Sequence, residues 1–441
     1  MTDANAAAAT AANTLQSRHA TLDLLAAVID EGQPLSAALE GQKGLAGLAE
    51  RDRAFARHLA TTTLRRLGQI DATIAACVER PPRGRARGVL PLLRLGVCQI
   101  LFLRTPAHAA VDTTVRLARE RGLDAYTALV NAVLRRVDRE GPVLLAAQDA
   151  ARLNTPDWLW DSWCRAYGEA VCRQVTKAHL AEPPLDLSVK SEPEQWAARL
   201  GGCVLPTGTV RLAGHGAVTA LPGFAAGAWW VQDAAAALPV RLLGAVDGRA
   251  VIDLCAAPGG KTAQLVVAGA RVTAVERDAL RLSRLADNLK RLALSAQLVA
   301  ADVESWRPAA GADAVLLDAP CTATGTIRRH PDILWARRSG DVGRLVPMQD
   351  RLLRAAAEMV APGGVLAYAV CSLQPEEGPE RIAAFLASGV PYRREPIGVD
   401  EVGGLSSLID AAGDLRSLPS HLAAEGGIDG FYACRLRRCD A

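Results

Sequence analysis

Apolar positions in the first third of the chain recur at helical spacing. Val89, Leu92, Leu93, Gly96, Val97, Ile100 and Leu101 form one stripe; Val111, Val115, Leu117 and Ala118 form a second, and Leu129, Val130, Val133 and Leu134 a third. Pro81-Pro82, Gly84 and Pro106 separate the helices. The pattern predicts a compact all-α domain over 15–145, preceded by a loose alanine-rich tail over 1–14. Near Asn154-Thr155-Pro156 the texture changes. Trp158, Trp160 and Trp163 open an amphipathic helix, and Leu185-Asp186-Leu187-Ser188-Val189 alternates like a strand. Residues 150–235 are therefore expected to form a small α+β subdomain. From 236 to 441, short apolar runs alternate with helical patterns. Strands are expected at 250–254, 272–276, 297–302, 314–318, 365–371 and 430–436. Helices are expected from 261, up to 289, over 351–360 and from 380. Such alternation predicts a mostly parallel, doubly wound α/β sheet.

Composition narrows the function classes. A chain of 441 residues, half of them hydrophobic, can fill two or three cores. The net charge is only +3, yet from Arg18 to Glu140 nineteen Lys and Arg face thirteen Asp and Glu. That basic third, with the arginine cluster over 79–87, suits a polyanion such as RNA or, equally, an ordinary solvated helical face. Ten cysteines without a C-x-x-C pair argue against a zinc site, and no metal is expected. Free thiols suit a reducing compartment, so a cytoplasmic location is expected. No apolar run is long enough to span a bilayer, and no membrane partner is expected.

The first expected strand of the last domain runs into Asp253-Leu254-Cys255-Ala256-Ala257-Pro258-Gly259-Gly260-Lys261-Thr262. Gly259 and Gly260 allow a ligand to approach the backbone, and the helix that follows offers unpaired amides. Gly260-Lys261-Thr262 looks like the end of a phosphate-binding loop, but that loop needs glycine where Cys255 stands. The G-x-G-x-x-G fingerprint is also missing. A tight turn with no ligand is the remaining alternative. Against it, Glu276 closes the next strand, where an acid can accept from both ribose hydroxyls, and Asp302 closes the third, within reach of an adenine amine. A cofactor with ribose and adenine but no pyrophosphate fits best: S-adenosylmethionine.

Two cysteines carry the chemistry. Cys321 follows the strand through Asp318-Ala319-Pro320, and Cys371 follows Val370 at the end of another. Strand ends of an open α/β sheet are where ligands bind. A thiolate adding to carbon 6 of cytosine makes carbon 5 nucleophilic enough to take a methyl group. Asp318 is placed to bind the cytosine edge and assist protonation of the ring. The residues alone do not say which thiol attacks. Cys77, Cys98, Cys164, Cys172 and Cys203 read as small buried hydrophobes, Cys434 and Cys439 as structural or incidental, and Cys255 as an unreactive wall of the cofactor turn. Arg328 and Arg329 are candidates for substrate phosphates, and His330 for a base or a helix cap.

These motifs resemble the RsmB/NOP (Nop2/Sun) family of RNA cytosine-5 methyltransferases. The likeness lies in 253–262, in 318–321 with Ile327-Arg328-Arg329-His330-Pro331-Asp332, in Cys371-Ser372-Leu373-Gln374-Pro375-Glu376-Glu377, in Gln232-Asp233 and in Asp429-Gly430-Phe431-Tyr432. The helical domain resembles NusB through 106–112 and 129–136. The resemblance implies a NusB-like RNA-binding domain, the small α+β subdomain, and a Rossmann-like class I methyltransferase domain over 236–441. It implies Cys371 as the attacking thiol and Cys321 as the group that assists release. It places Cys255, Ala256, Ala257, Pro258, Gly259, Gly260, Lys261, Glu276, Asp302 and Asp318 at cofactor-contacting positions. Val370 stands where threonine is common, and Gly378-Pro379 replaces a usual Asn-Glu. The expected substrate is small-subunit ribosomal RNA, acted on by a monomer. Transfer RNA as substrate is an alternative, as is an RNA-binding assembly or antitermination factor with a vestigial methyltransferase domain.

Overall fold

The computed structural model describes every residue except Met1, Pro81, His215, Asp440 and Ala441, and side chains from Leu15 onward apart from Lys43. Pro81, one of the expected helix breakers, thus lies outside the described residues. The chain forms two compact units: residues 1–164 with 179–181 and 329–338, and residues 165–178 with 182–328 and 339–441.

The first unit is helical. Helices Glu50–Arg65, Leu67–Cys77, Leu90–Leu101, Ala107–Glu120 and Thr127–Ala146 enclose Leu59, Ile70, Leu93, Val97, Leu117, Val130 and Leu134. Burying a side chain of this size contributes about 1.5–3 kcal/mol. Gly96 makes one close approach possible, because a Cβ there would sit 2.7 Å from the Leu134 methyls. The first helix spans Thr2–Ile29 and so takes in the alanine-rich stretch expected as a tail; alanine is the strongest helix former. Arg85 and Arg87 of the arginine cluster lie in a 3₁₀ helix, Gly84–Val89. Segment 329–338, distant in sequence, belongs to this unit. Trp335 Nε1 donates to Leu64 O at 2.7 Å, and Asp332 Oδ2 accepts the Leu35 amide at 3.0 Å.

The second unit contains two sheets. The smaller has strands β1 (Leu185–Val189), β2 (Cys203–Val204), β3 (Val210–Leu212) and β4 (Trp229–Val231), in the antiparallel order β2-β3-β1-β4. Buried Asp186 receives both arms of Arg211 at 2.7 Å and also the Ala234 amide at 3.1 Å. Arg211 in turn donates to Gly427 O at 2.7 Å, near the C-terminal end. These bonds explain why the small sheet shares a unit with the large one, while 150–164, expected in the same subdomain as β1, packs with the helices.

The large sheet has β5 (Ala250–Leu254), β6 (Arg271–Glu276), β7 (Gln297–Ala300), β8 (Ala312–Asp318), β9 (Val360–Val370), β10 (Tyr392–Arg394), β11 (Leu415–Ser417) and β12 (Phe431–Arg438). The order is β10-β12-β9-β8-β5-β6-β7, with β11 beside β12. From β9 to β7 all pairs are parallel, and β12 runs antiparallel to β9. Helices cover both faces, so β8 and β9 bury almost every side chain and read as near-continuous apolar runs. The helix before β9 starts at Ser339, well before the expected 351. Gly340, Gly343 and Pro347 hide its start in the sequence, but burial of Gln349, Leu352, Leu353 and Ala356 holds it.

Leu316 lies fully buried in the middle of β8. Leu316→Ala is expected to lower unfolding free energy by about 2–5 kcal/mol in urea titration.

Candidate active site

The expected cysteines, Asp318 and the cofactor-contacting residues all fall in the second unit, at or beyond the C-terminal edge of the parallel strands. β8 and β9 are in register, with Asp318 opposite Ala369, so the two strands end at one level. Ala319 N extends the pairing by donating to Ala369 O at 2.8 Å. Cys321 and Cys371 therefore converge, with their Sγ atoms 3.5 Å apart. Each is partly exposed. The hydrogen bond to Cys371, then burial, push the Cys321 thiol well above its ordinary range, with the Glu377 charge adding.

Asp318 is the third member of the group. Its Oδ2 accepts from Lys261 Nζ at 2.7 Å, and the ammonium lies 5.2 Å from the centre of the Phe431 ring. Burial works against the Lys261 charge, but Asp318, with Cys371 and Asp253 adding, outweighs it and raises the pKa. Lys261 thus stays protonated beside a carboxylate and a thiol.

The turn after β5 is built for close approach. Cys255 and Gly259 both have positive φ, 57° and 99°, and a Cβ on Gly259 would press within 2.9 Å of Leu285. Burial, then the nearby carboxylates of Glu276, Asp318 and Asp253, push the Cys255 thiol up to about 12, which keeps it protonated. Asp253 is fully buried; its Oδ2 accepts from Thr262 at 2.6 Å, while its Oδ1 has no hydrogen-bond partner. Glu276, at the end of β6, accepts the Asp278 amide at 3.1 Å through Oε1. Its Oε2 lies 3.3 Å from Arg281 without a hydrogen bond. Asp302 lies two residues past the end of β7, not at its end as expected. There it opens a turn, its Oδ1 accepting from Glu304 N at 2.9 Å, and it remains about half exposed.

These residues fit S-adenosylmethionine. Buried acceptors with spare capacity on Asp253 and Glu276 suit hydroxyl or ammonium donors. Exposed Asp302 suits an amine at the rim. The backbone of Cys255, Ala256, Ala257, Pro258, Gly259 and Gly260 leaves no bulky side chain in the way.

Several expectations change. Arg328 does not face solvent for phosphates: it is buried, with Nη1 on Gly426 O at 2.6 Å and Nη2 3.3 Å from both Asp233 and Asp429. Arg329 and His330 belong to the helical unit; the His330 carbonyl accepts Ile333 N in the turn before the helix Ile333–Ala336, whose N-cap is Asp332 and not His330. Of the other cysteines, Cys77, Cys98, Cys172 and Cys434 are buried, but Cys164, expected buried, is half-buried and Cys203 is exposed on β2. Sequence reasoning missed Glu377, which is fully buried between Thr322 and Ser372, the residues that follow the two cysteines. An acid just before a helix reads as an ordinary dipole partner, so no local signal marked it.

A family described as 16S rRNA methyltransferase RsmB/F matches residues 240–437, and the NusB family matches 15–139. The ribosomal RNA small subunit methyltransferase B of Klebsiella pneumoniae is 40% identical over 82% of this chain and 87% of its own length. That of Yersinia enterocolitica is 36% identical over 96% and 99%. The crystal structure of PH0851 shares the fold, with a TM-score of 0.73 and 22% identity over 96% of this chain and 98% of that one. Fold and site define an S-adenosylmethionine-dependent RNA methyltransferase. Within that class, the chain belongs to the RsmB/F family, with an N-terminal NusB domain. Among the described residues no helix is long and apolar enough to cross a membrane, and no cluster suited to a metal ion occurs.

Burial raises the Asp253 carboxyl from 3.8 to about 7. The folded state then holds a proton that the unfolded chain has lost, so stability falls as pH rises between about 4 and 7. Urea titrations across that window should show Asp253 contributing a decline on the order of 1 kcal/mol per pH unit. Asp253→Asn should flatten it.

Proposed function

We propose that the chain methylates carbon 5 of a cytosine in small-subunit ribosomal RNA through a covalent bond between Cys371 and carbon 6. The observation that carries this reading is the 3.5 Å pair of sulfurs, with the Asp318–Lys261 pair at the same sheet edge. An acid–base pair beside two thiols suits covalent pyrimidine chemistry; a methyltransferase acting directly on a good nucleophile needs neither thiol.

Cys371 attacks as its thiolate, and the sulfur–carbon 6 bond forms as the ring's double-bond electrons move toward carbon 5 and the exocyclic edge. Asp318 accepts from the cytosine amine. Lys261, kept charged by Asp318, stabilises the electron density that enters the ring. When bound, S-adenosylmethionine supplies an electrophilic methyl group, which carbon 5 takes. Water takes the carbon 5 proton, the C–H electrons restore the carbon 5–carbon 6 double bond, and the sulfur–carbon 6 bonding electrons return to Cys371. Cys321, held protonated while Cys371 is free, does not compete as a nucleophile and is the group placed to assist this expulsion. Cys255 through Gly260, with Glu276, Asp302 and Asp318, orient the donor. The target base must be unstacked to reach the sheet edge. The basic helical unit suits the surrounding RNA. The enzyme acts in the cytoplasm, where its ribosomal RNA substrate is assembled into the small subunit.

Cys371→Ala is expected to abolish 5-methylcytosine formation, and Cys321→Ala to accumulate an RNA–protein adduct on denaturing gels. An adduct with Cys371→Ala and none with Cys321→Ala would reverse the two roles. Bisulfite sequencing of RNA from a strain lacking the protein should lose one signal in small-subunit ribosomal RNA. Loss confined to transfer RNA would refute the substrate.

A further inference from the structure

Glu377 is a fully buried carboxylate that the mechanism above does not use. It lies in a single 3₁₀ turn, Pro375–Glu377, past the end of β9. Its Oε1 accepts from Thr322 N at 2.9 Å and from Gln349 Nε2 at 3.0 Å. Its Oε2 accepts from Ser372 Oγ at 2.5 Å and also from the Thr322 hydroxyl. Thr322 directly follows Cys321, and Ser372 directly follows Cys371. One carboxylate thus grips the backbone or side chain next to each thiol. Gln349 completes the frame by donating to Pro320 O at 2.9 Å, on the other side of Cys321. The Thr322 and Ser372 hydroxyls also lie 3.2 Å from each other.

A buried carboxylate is costly unless its oxygens are satisfied, and here four neutral donors satisfy them. Three of those donors, from Thr322 and Ser372, follow two strands whose cysteines are fifty residues apart in sequence, and the fourth, Gln349, lies on the helix Ser339–Glu358. Strand pairing stops at Ala319 on Ala369; beyond it one backbone bond, Gly325 N to Cys371 O at 3.0 Å, joins the two segments, and side-chain contacts supply the rest of the tie next to the thiols.

We propose that Glu377 is a positioning residue: it ties Thr322 to Ser372 and thereby sets the spacing of Cys321 and Cys371. It touches no substrate. The proposal deepens the covalent reading above and rests on it for its catalytic consequence, but the spacing itself can be measured without RNA or donor.

The direct measurement is disulfide formation. Diamide accepts two hydrogens at its N=N bond, one from each thiol, and leaves an S–S bond; peptide mass spectrometry reports the 321–371 bridge. The rate depends on how often the sulfurs meet, a proximity effect. Glu377→Ala should slow this bridge about tenfold and slow single-turnover methylation about 100-fold. Affinity for S-adenosylmethionine, measured by calorimetry, should stay within about threefold, since Glu276 and the β5 turn are untouched. Glu377→Gln should restore both rates to within about threefold of the parent. Its amide oxygen can accept from Thr322 N and Gln349, and its amide nitrogen can donate to the two hydroxyls, which rotate to accept.

Bridging at the parent rate in Glu377→Ala overturns the proposal. So does failure of Glu377→Gln to restore the bridge, which would assign the effect to charge and not to the tie. If Glu377→Ala does not fold, the double variant Thr322→Val with Ser372→Ala removes the same grip from the other side. It must slow the bridge likewise, and a parent-like rate there overturns the proposal too. Absence of ribosomal RNA methylation by the parent protein would sink the functional reading alone, because the bridging rates would still decide the role of Glu377.

Discussion

The in-register parallel pairing of β8 with β9 is the constraint on which the site depends. Adjacent strands of a sheet lie about 4.8 Å apart. Two strands that end at the same level therefore deliver their following residues to one place. Asp318 opposite Ala369 sets that level, and the Ala319–Ala369 bond is its last rung. A slip of one residue would turn every side chain of β8 to the other face. The continuous burial of Ala314, Val315, Leu316 and Leu317 permits no such slip cheaply, because both faces are packed. Catalytic geometry is thus inherited from core packing.

Electrostatics does the rest at the same edge. Asp253, Glu276, Asp302 and Asp318 lie at or near the strand ends; Lys261 pairs with Asp318, while Arg281 and Arg277 approach Glu276 and Asp302 at 3.3 and 3.9 Å. In a low-dielectric setting this excess of acid would disfavour a thiolate. Lys261 counters it locally, which is why a residue that resembles part of a phosphate loop ends up bonded to a carboxylate. Asp253 shows the opposite solution. It has no cation at hydrogen-bond distance and takes up a proton near neutrality. Pairing recurs with Arg328 between Asp233 and Asp429.

Much of this was legible in the chain, for identifiable reasons. Period-two runs and helical stripes locate elements buried on one side, and β5, β6 and β8 are long and apolar enough to be unambiguous. Cys321 and Cys371 were found because each follows such a run. β10 and β11 were not, since three residues carry no period and their pairing partner lies far along the chain. Arg328 was misjudged for a related reason. Sequence shows the charge of an arginine but not Asp233 and Asp429, which approach from 95 and 101 residues away. Glu377 escaped for the same reason, as its meaning lies in Thr322, fifty-five positions earlier. Local pattern reports which face a residue prefers, and long-range polar contacts are invisible to it.

Those long-range polar contacts share one location. Arg328 anchors the segment after Cys321 to Asp233 and Asp429, and Asp429 itself donates its amide to Asp233. Gly430 N donates to Gly325 O at 2.8 Å, and Gly325 N donates to Cys371 O at 3.0 Å. A Cβ on Gly325 would fall 1.9 Å from Gly430 O, so only glycine allows that approach. The loop after one thiol is therefore bonded to the residue that bears the other and to the start of β12. Buried ion pairs seldom add net stability, because desolvation offsets the attraction. Their value here is directional: they hold irregular backbone in one arrangement where no strand pairing reaches. The parallel sheet brings the two sulfurs to the same neighbourhood, and the buried polar network beyond its last rung converts neighbourhood into contact distance.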